Sequence, residues 1–278
     1  MILLIVAILS LGIALTVYFV CFATVAKLYW IPIVFAGSYL ALALLWALSL
    51  IVCTLFVNKN KPCRKHSRLY RFFANCIIDT SNILMRVKLH VTGKEKLPQE
   101  KFLLVGNHLS FMDPVITMGV LRSYRMGFVG ASNAIFKFPI MDKLLHKNFC
   151  VPINRESAKD GIKMVNEAAE IIKSGQASMG IYPEGRRNLE GGEMLPFKNG
   201  AFKIAKKANC PIVVAVIKNV ENIKKNIPFK KTHVYLDFTA VIHPEEFADS
   251  NTQQISERVR EIIEQTMQPA PFENILAA

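Results

Sequence analysis

Hydrophobic and polar positions follow three regimes along the chain. Residues 1–26 (MILLIVAILSLGIALTVYFVCFATVA) and 28–57 (LYWIPIVFAGSYLALALLWALSLIVCTLFV) hold no charged residue, and only Lys27 separates them. Each exceeds the roughly 20 apolar residues that a helix needs to cross ~30 Å of hydrocarbon. The pattern predicts a membrane-anchoring helical hairpin over residues 1–57, with Tyr29, Trp30 and Pro32 near the interface. A single helix lying on or re-entering the bilayer is the alternative. A cleaved signal peptide fits poorly: no basic start precedes the first run, the run is too long, and another follows at once. Residues 66–82 then place Leu69, Phe72, Phe73, Cys76 and Ile77 at helical spacing. That amphipathic connector either lies along a membrane surface or opens the next domain.

From residue 84 the period shortens. Met85, Val87, Leu89 and Val91 alternate with Arg86, Lys88 and His90, the pattern of a strand. Further strands are expected at 101–105, 124–129, 149–153, 178–183, 211–217 and 233–241. Helices are expected at 114–121, at 132–146 with a break at Pro139, at 157–174, over GAFKIAKKAN and at 253–267. For the helix of 157–174, Ser157 can cap the start, Gly175 ends it, and Ile162, Val165, Ala169 and Ile172 share one face. Strands alternating with helices predict one α/β domain, a central mixed sheet flanked by helices. Three parts follow: a hairpin over 1–57, a basic juxtamembrane segment and connector over 58–82, and a cytoplasmic domain over 83–278.

Charge assigns the sides. The chain has 278 residues, 52% of them hydrophobic, and a net charge of +13. Lys27 alone carries charge before residue 58, leaving +12 for the rest. Residues 58–71 (NKNKPCRKHSRLYR) are basic without an acid, which predicts a cytoplasmic face resting on anionic head groups. The basic surplus also suits anionic small molecules, while no zinc-finger spacing or RNA-binding signature is present. Six scattered cysteines without C-x-x-C read as free buried thiols in a reducing compartment.

Two stretches carry candidate chemistry. In VGNHLSFMDP, residues 105–114, a strand is broken at Gly106-Asn107, and Asp113-Pro114 has the form of a helix N-cap followed by N1. His108 then sits in the loop after a strand, where open α/β sheets bind ligands. A carboxylate at Asp113 can fix one imidazole nitrogen and leave the other free as a base. A plain cap and a plain loop histidine read the same stretch equally well. In YPEGRRN, residues 182–188, Gly185 allows a tight turn and Arg187 offers a fork matched to phosphate. Standing alone, this would be a charged surface turn.

Together, N-H-x-x-x-x-D and P-E-G-x-R resemble the glycerolipid acyltransferases, the 1-acylglycerol-3-phosphate acyltransferases and their relatives. VPINRES, with Arg155, and FKNGA followed by PIVVAVI agree in order and separation, so the resemblance covers residues 84–220. It implies His108 as general base and Asp113 as its orienting partner. It implies phosphate binding of the acyl acceptor by the block of Glu184, Gly185 and Arg187, with Arg155 as a further phosphate-binding position. The implied reaction moves an acyl group from acyl-CoA or acyl carrier protein to a lysophospholipid hydroxyl, by default lysophosphatidic acid. It uses no cofactor, no metal and no covalent nucleophile. The chain departs from the family pattern at Arg186, where Thr is usual, at Asn188, Ser132 and Val214. These departures put the acceptor in question more than the reaction.

Three rivals remain. GASNA, residues 130–134, is a loose esterase-like G-x-S-x-A without a supporting triad order. His66, His90, His146, His233 and His243 show no zinc-ligand spacing. A membrane-anchored lipid-binding relative that has lost turnover would keep the fold, and the altered residues 186 and 132 keep that reading alive.

Overall fold

Strands buried on both faces read as unbroken apolar runs, and LLVG over 103–106 and IVVAVI over 212–217 are such runs. They form the middle of one sheet in the computed structural model, which describes residues 2–22, 24, 27–63, 65–133, 135–188 and 193–268. Arg64 of the basic cluster, Ala134 at the start of an expected helix, and residues 269–278 lie outside the described residues.

The elements run in order as α1 (Ile2–Val17), α2 (Trp30–Leu55), α3 (Arg68–Leu84), β1 (Val87–Thr92), β2 (Leu103–Gly106), α4 (Met112–Val120), β3 (Gly127–Ala131) and α5 (Pro139–Lys147). There follow β4 (Val151–Ile153), α6 (Ala158–Lys173), β5 (Met179–Ile181), α7 (Lys203–Ala208), β6 (Ile212–Lys218), α8 (Ile223–Asn226), β7 (Thr232–Ile242) and α9 (Thr252–Met267). The strand order is β1-β7-β6-β2-β5-β3-β4. The five strands from β6 to β4 run parallel; β7 is antiparallel to β6, and β1 runs with β7. The sheet is mixed, as the pattern predicts. Alternate residues of β2 feed two cores. Leu103 and Val105 pack with α6, α7 and α9, while Leu104 packs on the side of α4.

The two N-terminal helices are long and apolar enough to cross a membrane, and little of either is covered by the rest of the protein. The last turns of α2 dock on the α/β domain. Leu50 and Trp46 pack with Phe73 of α3 and Leu144 of α5, and the Tyr70 hydroxyl donates to the Cys53 carbonyl at 2.9 Å. Lys59 of the basic segment pairs with Asp142 of α5.

Several expectations change. The connector helix buries Phe73, Cys76 and Ile78 but turns Leu69 and Phe72 outward, because its inner face meets both α2 and the domain. In α6 the inward face holds the expected Ala169 and Ile172, with Val165 packed at its edge, and adds Met164, Ala168 and Ile171, whereas Ile162 is 65% exposed. The first turns of α6 overhang a cavity instead of the sheet. Ser157 does cap α6, accepting from the Asp160 N–H at 3.2 Å. The cysteines form no disulfide, and Cys76, Cys150 and Cys210 are buried; Cys21, however, is exposed, on a helix that offers its flank to the surroundings.

Candidate active site

The carboxyl-terminal ends of parallel strands lie together at one end of the sheet, and loops leaving them converge there. β2 delivers His108, β4 delivers Arg155, and β5 delivers residues 182–188. Asn107 shapes the departure from β2. Its side chain accepts from the Ile217 N–H and donates to the Ile217 carbonyl, both at 2.9 Å. The amide thus extends the pairing with β6 by one rung, and His108 is freed from the ladder to face the loops.

His108 Nδ1 lies 2.8 Å from Asp113 Oδ2. The same oxygen accepts from the Leu109 and Ser110 N–H groups at 2.7 and 2.9 Å. An ionised carboxylate only accepts, so Nδ1 carries the hydrogen and Nε2 keeps its lone pair. Asp113 is fully buried, and burial pushes its carboxyl above the usual range while the three donors pull it back. It is not the N-cap that the Asp-Pro pair suggests: α4 begins at Met112, and the carboxylate bonds upstream to the turn that carries His108.

Behind the imidazole stands a stack of rings. Tyr182 lies parallel to His108 with centroids 4.3 Å apart, and Phe128 backs Tyr182 at 5.5 Å. Gly180 permits this, since a Cβ there would stand 2.3 Å from the Phe128 ring. Burial drives the Tyr182 phenol well above its ordinary value, with the Asp113 charge adding to it, so it stays neutral. Sequence reasoning missed both Tyr182 and Asn107. Their only local signal is adjacency, Tyr182 to P-E-G and Asn107 to His108.

Glu184 is 4% exposed and lines neither cavity. Its Oε1 accepts from the His108 N–H at 2.9 Å and its Oε2 from the Leu195 N–H at 3.3 Å. With both oxygens taken, the phosphate contact implied for this side chain does not fit. It clamps the His108 loop to the arginine-bearing one. Asn188 adds a second tie, its N–H donating to the His108 carbonyl at 2.8 Å. Gly185 has φ +70°, and a Cβ there would press on Lys198 Cε at 3.0 Å.

Burial raises the Glu184 carboxyl above its usual value, against the His108 and Leu195 donors. A carboxyl raised in the fold holds its proton more tightly folded than unfolded. Its contribution therefore turns against stability as pH climbs from the ordinary ~4.3 through the raised value. Glu184→Gln removes that ionisation. Its melting temperature, relative to the parent, should shift in the variant's favour between pH 4 and pH 7 in thermal scans. A shift the other way would mean that the backbone donors outweigh burial.

His108 opens onto a cavity of about 800 Å³. Its lining includes Arg155, Arg186 and Arg187 together with Phe111, Val115, Met118 and Phe136. A second cavity of about 840 Å³, under α6, shares Gly130, Arg155, Tyr182 and Gly185 with it. The structure thus brings His108, Asp113, Gly185, Arg187 and Arg155 together. Arg186, one of the departures, adds its charge to the same lining. Among the described residues no cluster of metal-ligating side chains occurs.

Residues 88–218 match a family model described as Acyltransferase. A 1-acyl-sn-glycerol-3-phosphate acyltransferase of Borreliella burgdorferi is 28% identical over 200 residues, covering 70% of this chain and 78% of that protein. A protein of the same name from Saccharomyces cerevisiae is 23% identical over 198 residues, covering 70% of this chain and 64% of its own length. The crystal structure of the 1-acyl-sn-glycerophosphate (LPA) acyltransferase PlsC from Thermotoga maritima superposes with a TM-score of 0.57, covering 95% of both chains at 19% identity. At that identity the likeness shows a shared fold.

Proposed function

We propose that this chain, which matches the Acyltransferase family model over residues 88–218 and is similar to 1-acyl-sn-glycerol-3-phosphate acyltransferases, is a glycerolipid acyltransferase that acylates the sn-2 hydroxyl of lysophosphatidic acid, giving phosphatidic acid for phospholipid synthesis. The observation that carries this reading is His108, held by the buried Asp113, opening onto a cavity lined by both arginines and apolar side chains. A lysolipid needs both at once.

His108 Nε2 takes the hydroxyl proton as the oxygen attacks the thioester carbonyl. Asp113 stabilises the imidazolium that forms. Collapse of the tetrahedral adduct breaks the carbon–sulfur bond, and the proton passes from His108 to the departing thiolate. A thioester is already activated, so positioning and a base suffice. Acyl-CoA and acyl carrier protein both supply that bond, and the step requires no cofactor. The apolar helices hold the enzyme in the membrane that contains its acceptor. The basic residues 58–71 set the catalytic domain on the cytoplasmic side. Arg186 in the cavity wall favours, as a second reading, a lysophospholipid with a more anionic head group.

Thiol release from an acyl-CoA by the detergent-purified chain tests the assignment. Release is expected only with lysophosphatidic acid present, and release without acceptor would make the protein a thioesterase. In the same assay Arg187→Ala should raise the acceptor KM about tenfold at little change in kcat, the worth of one exposed charge-assisted contact. A fall in kcat at constant KM would place Arg187 on the reacting centre instead.

A further inference from the structure

The connection between β6 and β7, residues 219–231, has no part in the site described above. It contains α8 and the run Ile227-Pro228-Phe229. Phe229 is 86% exposed, the most exposed of the large hydrophobic side chains. Lys224, Lys225, Lys230 and Lys231 surround it in sequence, all exposed, and no acid occurs from residue 222 to residue 236. A solvent-facing phenylalanine among four lysines gains nothing for the fold.

Position adds a second observation. β6 runs parallel to β2, and β7 returns antiparallel, so this connection leaves the same end of the sheet as the His108 loop. The Thr232 N–H donates to the Arg86 carbonyl at 3.1 Å, which ties the connection to the end of α3. There Ile83 and Leu84 are 55% and 62% exposed, and Arg86 is exposed as well. Two segments joined by that bond thus expose three apolar side chains and five cations at one end of the sheet.

We propose that this patch is a second membrane contact, in which Phe229, Ile83 and Leu84 enter the head-group region of a bilayer and the surrounding lysines and Arg86 engage anionic lipid. Charge complementarity selects that occupant. A second copy would bring the same cations against these, and a neutral apolar partner would leave them desolvated and unpaired. Aromatic side chains favour the bilayer interface, and clustered lysines are drawn to anionic leaflets. The contact would hold the His108 end of the sheet against the lipid surface, independently of the apolar helices. It goes beyond the acyl-transfer reading and does not depend on turnover.

The test uses the full chain with Phe229→Trp, reconstituted into vesicles whose acyl chains are brominated. Trp30 and Trp46 of the parent chain give the background. With phosphatidylglycerol vesicles, the added tryptophan should shift to the blue and lose emission through quenching. With phosphatidylcholine alone, or with Lys224, Lys225, Lys230 and Lys231 all changed to Gln, most of that loss should disappear. Emission that stays red and unquenched in anionic vesicles would overturn the proposal. Equal quenching in both lipids would overturn its anionic part. A blue shift in detergent on adding an acidic carrier protein, with none in vesicles, would reassign the patch to that protein.

Discussion

His108→Ala is expected to abolish acyl transfer, lowering kcat by at least the ~10²–10⁴-fold that a positioned general base contributes, while the protein stays folded. The imidazole is half-buried, and apart from its Nδ1 bond to Asp113 the bonds that shape its loop do not involve the ring. The Glu184 carboxylate, the Asn188 N–H and the Asp113 carboxylate all hold backbone groups of residues 108–110. Alanine loses the face of Tyr182, a ring that Phe128 still supports from behind. Single-turnover thiol release beside a thermal melt checks this. Unchanged kcat would end the general-base mechanism. Loss of both activity and melting temperature would show that the ring is structural, and titration of binding with unreacted acceptor would then separate the two roles.

Asp113→Asn should cost less than that, about 10–10²-fold in kcat with the acceptor KM unchanged. The Leu109 and Ser110 N–H groups both point at Oδ2. They force the amide oxygen into that place, since the amide nitrogen would face two donors. His108 Nδ1 therefore keeps its acceptor and the same tautomer. Only the negative charge is lost. The difference between a charge-assisted and a neutral hydrogen bond, about 1–3 kcal/mol, sets the size of the effect through the rate equation. Asp113→Ala strips both backbone donors of their partner and should damage stability as well. If Asn and Ala variants were equally inactive and equally stable, the two backbone donors would not be directing the side chain.

Much of this arrangement was legible in the chain, for identifiable reasons. PIVVAVI can only be a central strand, since no face of it tolerates water. Ser157 with Asp160 announces a helix start from local chemistry alone, and the structure has that bond. His108 after a strand break, with a carboxylate five residues on, needs only local geometry to meet. What stayed hidden depends on distant contacts. The outward turn of Leu69 and Phe72 follows from where α2 docks, which no spacing within 66–82 encodes. Ile162 belongs to the apolar set of its helix, yet it overhangs a cavity because α6 extends past the sheet. Asp113 has every mark of a cap, and its use was decided by two N–H groups upstream. Tyr182 required knowing that β2 and β5 are neighbours. The part played by Glu184 required the path of the chain through Leu195.

The Glu184 clamp has a bearing on how such an enzyme can change its substrate. One carboxylate grips the amide of the base and, through Leu195, the far end of the segment that carries the arginines. Side chains at 186 and 187 line the cavity, so exchanging them changes its charge and leaves the grip intact. Insertions or deletions between 185 and 195 would drag on the His108 backbone through the same carboxylate. Change in this loop is thereby channelled into point substitutions, with 186 and 187 the positions free to vary without loosening the clamp.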